Sequence, residues 1–123
     1  MTLVYPFVNF RMTPTLNVGS TPTLIFGSQN TCAIEGIVLA NQTESPITVS
    51  VYVLRESHPT PGAPTEYLFA NKVSIEALDR IDILLGLALT LEATDLLFAY
   101  SDFSSNIFNT FVSYRELTEL PLK

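Results

Sequence analysis

Leu84-Leu85-Gly86-Leu87-Ala88-Leu89-Thr90-Leu91-Glu92-Ala93-Thr94-Asp95-Leu96-Leu97-Phe98-Ala99-Tyr100-Ser101 decides how the chain is read. Two apolar runs flank the polar step Glu92–Asp95, a pattern that predicts two core strands joined by a tight turn. The most apolar window, Ile81–Leu91, contains Asp82 and Gly86 and is far shorter than the roughly 20 residues that a membrane span needs. A membrane helix is not expected.

Outward from this stretch the chain reads as short strands separated by turn clusters. Ile47–Leu54 is the clearest of them: Ile47, Val49, Val51 and Val53 fall on one face, Thr48, Ser50 and Tyr52 on the other. β-branched residues on the inward face suit a pleated, half-buried surface. Cys32–Ala40, Tyr67–Ile75 and Phe108–Leu117 supply further strands, and Asn41–Pro46 reads as a polar hairpin connection. His58–Pro64 holds three prolines and predicts a long exposed loop.

Ser74–Leu85 is ambiguous. Ile75, Leu78, Ile81 and Leu85 recur at helical spacing behind a possible Ser74 cap, which allows a helical turn or two near Ile75–Arg80 before Gly86 ends it.

A chain of 123 residues without a disulfide pair has the size of one domain with its own core. The expected architecture is all-β: a single antiparallel β-sandwich or jelly roll over residues 23–123, preceded by an extended arm over residues 1–22. Three prolines and a glycine break the arm, which carries Tyr5, Phe7 and Phe10. It either packs on its own domain or reaches a neighbouring subunit.

The 47% hydrophobic and 15% charged composition exceeds what a domain of this size hides, which points to apolar surface in contact with other chains. Tyr52, on the outward face of its strand, joins Tyr5, Phe7 and Phe10 as a candidate assembly-interface residue. A net charge of −6 with Lys and Arg scattered singly argues against nucleic acid as a direct partner. The lone Cys32 ties the chain to no oxidising compartment, and the N-terminus lacks the features of a signal peptide, so cytoplasmic synthesis is expected.

No catalytic constellation is legible. His58 is the one histidine and stands before a proline in the loop; Cys32 lies among apolar residues without a partner base. Glu92 and Asp95 flank one turn, but calcium takes six to eight oxygens, and acidic turn residues are ordinarily solvated. The expectation is a non-enzymatic chain with no cofactor and no metal. The alternative from another class is a carbohydrate- or ligand-binding module using Tyr5, Tyr52, Tyr67 or Tyr100 as stacking platforms, weakened by the absence of tryptophan.

The pattern of Ile37–Asn41, Ile47–Leu54, Tyr67–Ile75, Leu84-Leu85-Gly86, Leu89–Asp95 and Val112–Leu117 resembles that of small β-sandwich virion structural proteins of tailed bacteriophages. The resemblance spans Thr23 to Leu117, through short motifs. It implies a structural subunit of a virion, a capsid decoration, collar or neck, or tail or fibre component, with itself and other virion proteins as partners. Thr94 stands where the pattern usually has glycine, which disfavours a left-handed turn at that position.

Overall fold

Every strand pairing is antiparallel, and the pairs divide into two sheets that face each other across one apolar core. The computed structural model describes residues 11–55 and 65–117. Among them are nine strands and no helix: β1 (Arg11–Val18), β2 (Thr23–Gly27), β3 (Cys32–Asn41), β4 (Ile47–Arg55), β5 (Thr65–Ile75), β6 (Arg80–Asp82), β7 (Leu89–Leu91), β8 (Leu96–Ser101) and β9 (Phe108–Glu116). The first sheet runs β1-β9-β3-β6, with β7 also paired to β3; the second runs β2-β8-β4-β5. This is the expected all-β sandwich.

Strand alternation builds the core. From β4 come Ile47, Val49, Val51 and Val53, all buried as the sequence predicted. Leu97 of β8 lies beside them in the same sheet, and Ile34, Ile37 and Leu39 of β3 face them together with Phe108 and Val112 of β9. Cys32 is a free, fully buried thiol within this core.

Of the segment 1–22 read as an arm, residues 11–18 are the edge strand β1, paired with β9 from Arg11↔Tyr114 to Val18↔Phe108. Pro14 is tolerated there because an edge strand leaves one row of backbone groups unpaired. Residues 1–10, including Tyr5, Phe7 and Phe10, and the proline-rich loop with His58 lie outside the described residues.

Consecutive strands mostly belong to opposite sheets, and here the structure departs from the expected hairpins. Asn41–Pro46 carries the chain from β3 in the first sheet to β4 in the second, so it is a crossing and not a hairpin. Asn41 makes the crossing possible although it is only 2% exposed. Its Nδ2 donates to the carbonyls of Ser45 (2.8 Å), Ile75 (3.2 Å) and Glu76 (3.0 Å), and its Oδ1 accepts from the Thr43 backbone N–H at 2.8 Å. Buried turn backbone must find partners, and one amide side chain serves four groups.

The same network removes the possible helix at Ile75–Arg80. The Ile75 and Glu76 carbonyls are held by Asn41, while the Leu78 N–H donates to Thr43 O at 3.0 Å. Half of the helical stripe, Leu78 and Leu85, is exposed. Non-local hydrogen bonds outcompete local propensity here.

Leu89–Ser101 is likewise an arch. Its two strands do not pair with each other: β7 joins β3 in the first sheet and β8 joins β2 and β4 in the second. Asp95, expected to be a solvated turn residue, is 2% exposed and holds the arch together. Its Oδ1 accepts from Arg55 Nε at 2.9 Å, and its Oδ2 accepts from Arg55 Nη2 at 2.6 Å and from the Glu92 N–H at 2.8 Å. A planar guanidinium meets a carboxylate through two parallel bonds, the strongest form of this pair. The contact raises the Arg55 pKa, its hydrogen bond to Asp95 being the largest cause, so the cation persists at any physiological pH.

Thr94 adopts φ 71° despite its β-branch and donates its N–H to Ser28 O at 2.9 Å. The left-handed turn forms with threonine where glycine was expected, because the Asp95 anchor and this bond over-determine it.

Two stability outcomes follow. Asp95→Ala leaves Arg55 and the Glu92 N–H without their acceptor, so denaturant unfolding should show a loss of about 3 kcal/mol. Thr94→Gly relieves the backbone strain and should gain about 0.5–1 kcal/mol in the same measurement; a loss of stability would show that the threonine side chain is held favourably.

Candidate functional site: the outer face and free edge of the second sheet

Both sheets carry apolar residues on their outward faces, in rows of different length. On the first sheet Pro14, Phe111 and Val38 stand opposite one another on the outward face and the row ends at Asp82, while the pair of Arg115 and Glu35, with Nε and Oε1 2.8 Å apart, lies outward near Ser113. The contact is an ion pair.

The second sheet carries an apolar row across all four of its strands. Leu24 on β2 is opposite Phe98 on β8, Phe98 is opposite Tyr52 on β4, and Tyr52 is opposite Leu68 on β5. Leu24 and Leu68 are 48% and 54% exposed, and the two aromatic residues between them are half-buried. Tyr52 stacks on Phe98 with ring centroids 5.3 Å apart and meets Tyr100 edge to face at 6.3 Å. Leu54 and Leu96 form a second opposed pair beside the row.

Two shallow hollows flank it. One of about 350 Å³ is lined by Pro22, Tyr52, Glu66, Leu68 and Tyr100. The other, of about 470 Å³, lies between Leu24, Leu96 and the turns at Gly27–Gln29 and Thr94. A solvent-facing side of an antiparallel sheet is ordinarily polar at alternate positions, so a continuous apolar row marks a face that meets another surface.

The edge of this sheet is a second feature. Among the described residues β5 pairs only with β4. Register shifts between Val49 and Val51 and again between Val51 and Tyr52 place two bulges on β5, where Lys72 takes φ 50° and donates its N–H to Ser50 Oγ. Bulges and charge blunt an edge against further pairing. They leave Thr65–Leu68 in regular register with β4, and Tyr67, Leu68 and the bulged Phe69 are all exposed. Beside it, Val53, Tyr67 and Phe69 face Leu89 and Leu91 of the first sheet across an apolar cleft of about 390 Å³.

Tyr52 is thus at the centre of the outer face. Phe98, Leu68 and Leu24 were not singled out from sequence, although Leu96–Ser101 carries a signal: its alternate positions Leu96, Phe98 and Tyr100 are apolar on the face opposite the core. A strand apolar on both faces is covered on both faces. Of the tyrosines considered as platforms, Tyr100 lies beside Tyr52, Tyr67 lies in the cleft, and Tyr5 is outside the described residues. Among the described residues no three His, Cys, Asp or Glu side chains converge as a metal site would require.

No protein-family model and no curated relative matches the chain. Among solved structures it is similar to a pentameric capsid protein isolated from metagenomic phage sequences, at 17% identity and a TM-score of 0.45 over 85% of this chain. The chain spans 62% of that protein's length.

Tyr52 also supplies a pH readout. Its pKa is raised above the ordinary 10.0, first by burial and then by the nearby Glu66 carboxylate and Tyr100. The phenol of the unfolded chain therefore ionises first as pH rises. The contribution is full below the unfolded value and is lost as pH climbs through the folded one. Tyr52→Phe should flatten the decline of denaturant stability between about pH 9 and 11; identical slopes in the two proteins would refute the assignment.

Proposed function

We propose that this protein is a non-enzymatic structural subunit of a tailed-phage virion, working by self-association and by docking on other capsid, neck or tail proteins. The observation that carries the self-association is the Leu24, Phe98, Tyr52, Leu68 row, a continuous apolar band on the outward side of a sheet. Closing a second surface over that band removes the two exposed leucines and the half-covered aromatic rings from water. Each fully buried side chain of this kind contributes about 1.5–3 kcal/mol, so a few of them outweigh much of the entropy lost on association.

The virion assignment draws on the sequence pattern from Thr23 to Leu117, with Leu89–Asp95 and Val112–Leu117 as its most detailed parts. The excess of apolar residues over what one domain hides supports the same reading. The net charge of −6 keeps free subunits apart until a complementary surface is met.

Sedimentation or light scattering at micromolar concentration should give the mass of a defined oligomer. Tyr52→Lys with Leu68→Lys should lower that mass to one chain while the far-ultraviolet β signature is kept. A wild-type protein that stays monomeric up to about 100 μM, where even weak interfaces begin to fill, would overturn self-association. Mass spectrometry of particles purified from the host that carries the gene should detect the chain, and its absence from them would overturn the virion role.

A further inference from the structure

We infer that two copies of this chain meet head to tail, the turn Leu84–Leu87 at one margin of the sandwich seating in the hollow beside Leu24 at the opposite margin of the next copy. The inference rests on the self-association proposed above and assigns the two surfaces that make the contact.

Exposed apolar side chains gather at two opposite margins of the fold. On one side, where β1 lies against β2, are Met12, Leu16 and Leu24. On the other, along the cleft between β5 and β7, are Leu68 of β5 and Leu78, Leu85 and Leu87 in the turns before and after β6. Neither margin suits strand pairing, since Pro14 lacks a donor on edge strand β1 and two bulges distort β5. Side chains must carry any contact there.

The turn is built as a projection. The Leu87 N–H donates to Leu84 O at 2.9 Å, with Leu85 at φ 52° and Gly86 at φ 84°, so both central residues take the left-handed conformation of a type I′ turn. Asparagine or glycine adopts this conformation at little cost, and leucine does not. Leu85 is nevertheless 85% exposed and Leu87 72%, and nothing lies within 4 Å of where a side chain on Gly86 would begin. The base of the turn is firm: Leu84 is buried, its N–H donates to Asp82 Oδ1 at 3.0 Å, and the Ile83 N–H donates to Ile37 O at 3.0 Å. A strained apolar tip, rigidly mounted and left in water by its own chain, is preorganised for a partner.

The hollow matches the tip in kind. Its walls are Leu24, Leu96, Thr94 and the turn Gly27–Gln29, none of them charged, around about 470 Å³. That volume is in the range that seats a small apolar ligand, and so leucine side chains.

Charge favours turn against hollow over like against like. The margin of the turn holds Glu66, Glu76, Asp79 and Asp82 against Lys72 and Arg80. Residues 11–31, which build β1, β2 and the turns beside them, hold Arg11 and no carboxylate. Two margins of the first kind would set carboxylates against each other, and turn against hollow does not. Leu24 and Leu68 are also the two exposed ends of the outer-face row, so a copy at each margin covers both. Because the surfaces differ, every copy uses one on each side, a heterologous contact.

Mixing two variants of the full chain, read by sedimentation, tests this. Leu85→Asp with Leu87→Asp spoils the turn tip, and Leu24→Glu with Gln29→Glu spoils the hollow; all four positions are exposed, so both proteins should keep the far-ultraviolet β signature. Each alone should sediment as one chain. Mixed one to one, they should form a species of twice the single-chain mass and nothing larger, because the sound turn of one meets the sound hollow of the other. A contact between like surfaces gives no such recovery, and absence of the mixed dimer would overturn the inference. Leu85→Asn suits the turn, so it should raise the denaturant midpoint of the dilute monomer while raising the concentration needed for assembly about tenfold; an unchanged assembly concentration counts against the inference. If Tyr52→Lys with Leu68→Lys lowers the oligomer mass and the turn-tip variant does not, this contact is wrong and the outer-face assembly stands; if the wild-type chain is a monomer, both fail.

Discussion

The buried carboxylate of Asp95, held by the two parallel bonds of Arg55, is the contact on which the sandwich closes at one end. The chain passes from the first sheet to the second immediately before it, and the tight turn that makes the passage has too few residues to satisfy its own backbone. Asp95 accepts the Glu92 N–H as well as the guanidinium, so it folds the turn and ties it to the last residue of β4. Its cost is desolvation of a charge, offset because the partner charge and three hydrogen bonds come with it. Asn41 does the corresponding work at the other end, where β3 hands the chain to β4 and the turn after β5 meets the same side chain.

These polar anchors explain why the apolar residues end up where they do. With crossings at both ends, each sheet collects strands that are distant in sequence, and β2, β8, β4 and β5 become neighbours. Their outward residues then line up as Leu24, Phe98, Tyr52 and Leu68. No strand alone contains that row. The proposed assembly surface is therefore a product of topology, and the exposed part of β5 is its continuation, since Leu68 lines both the outer hollow and the edge cleft.

Local pattern and tertiary context disagreed at three places, each for a physical reason. Ile75–Arg80 has helical spacing, but its carbonyls are taken by Asn41. Residues 11–18 hold a proline and read as part of an arm, yet edge position removes the penalty and β9 recruits them. Thr94 lacks the freedom of glycine, and the bonds on either side of it hold the left-handed turn regardless.

The sequence by itself determined the β class, the inward face of β4, the buried cysteine and the presence of more apolar surface than one domain hides, because period-two alternation and composition are local properties. Tyr52 was legible as an outward aromatic for the same reason. Which strands pair, that the turns at Asn41 and Asp95 cross between sheets instead of closing hairpins, and that Leu24, Phe98, Tyr52 and Leu68 share one row were decided only by the tertiary structure. Register between strands distant in the chain follows from the shared core and its buried polar anchors, and no local stretch encodes either.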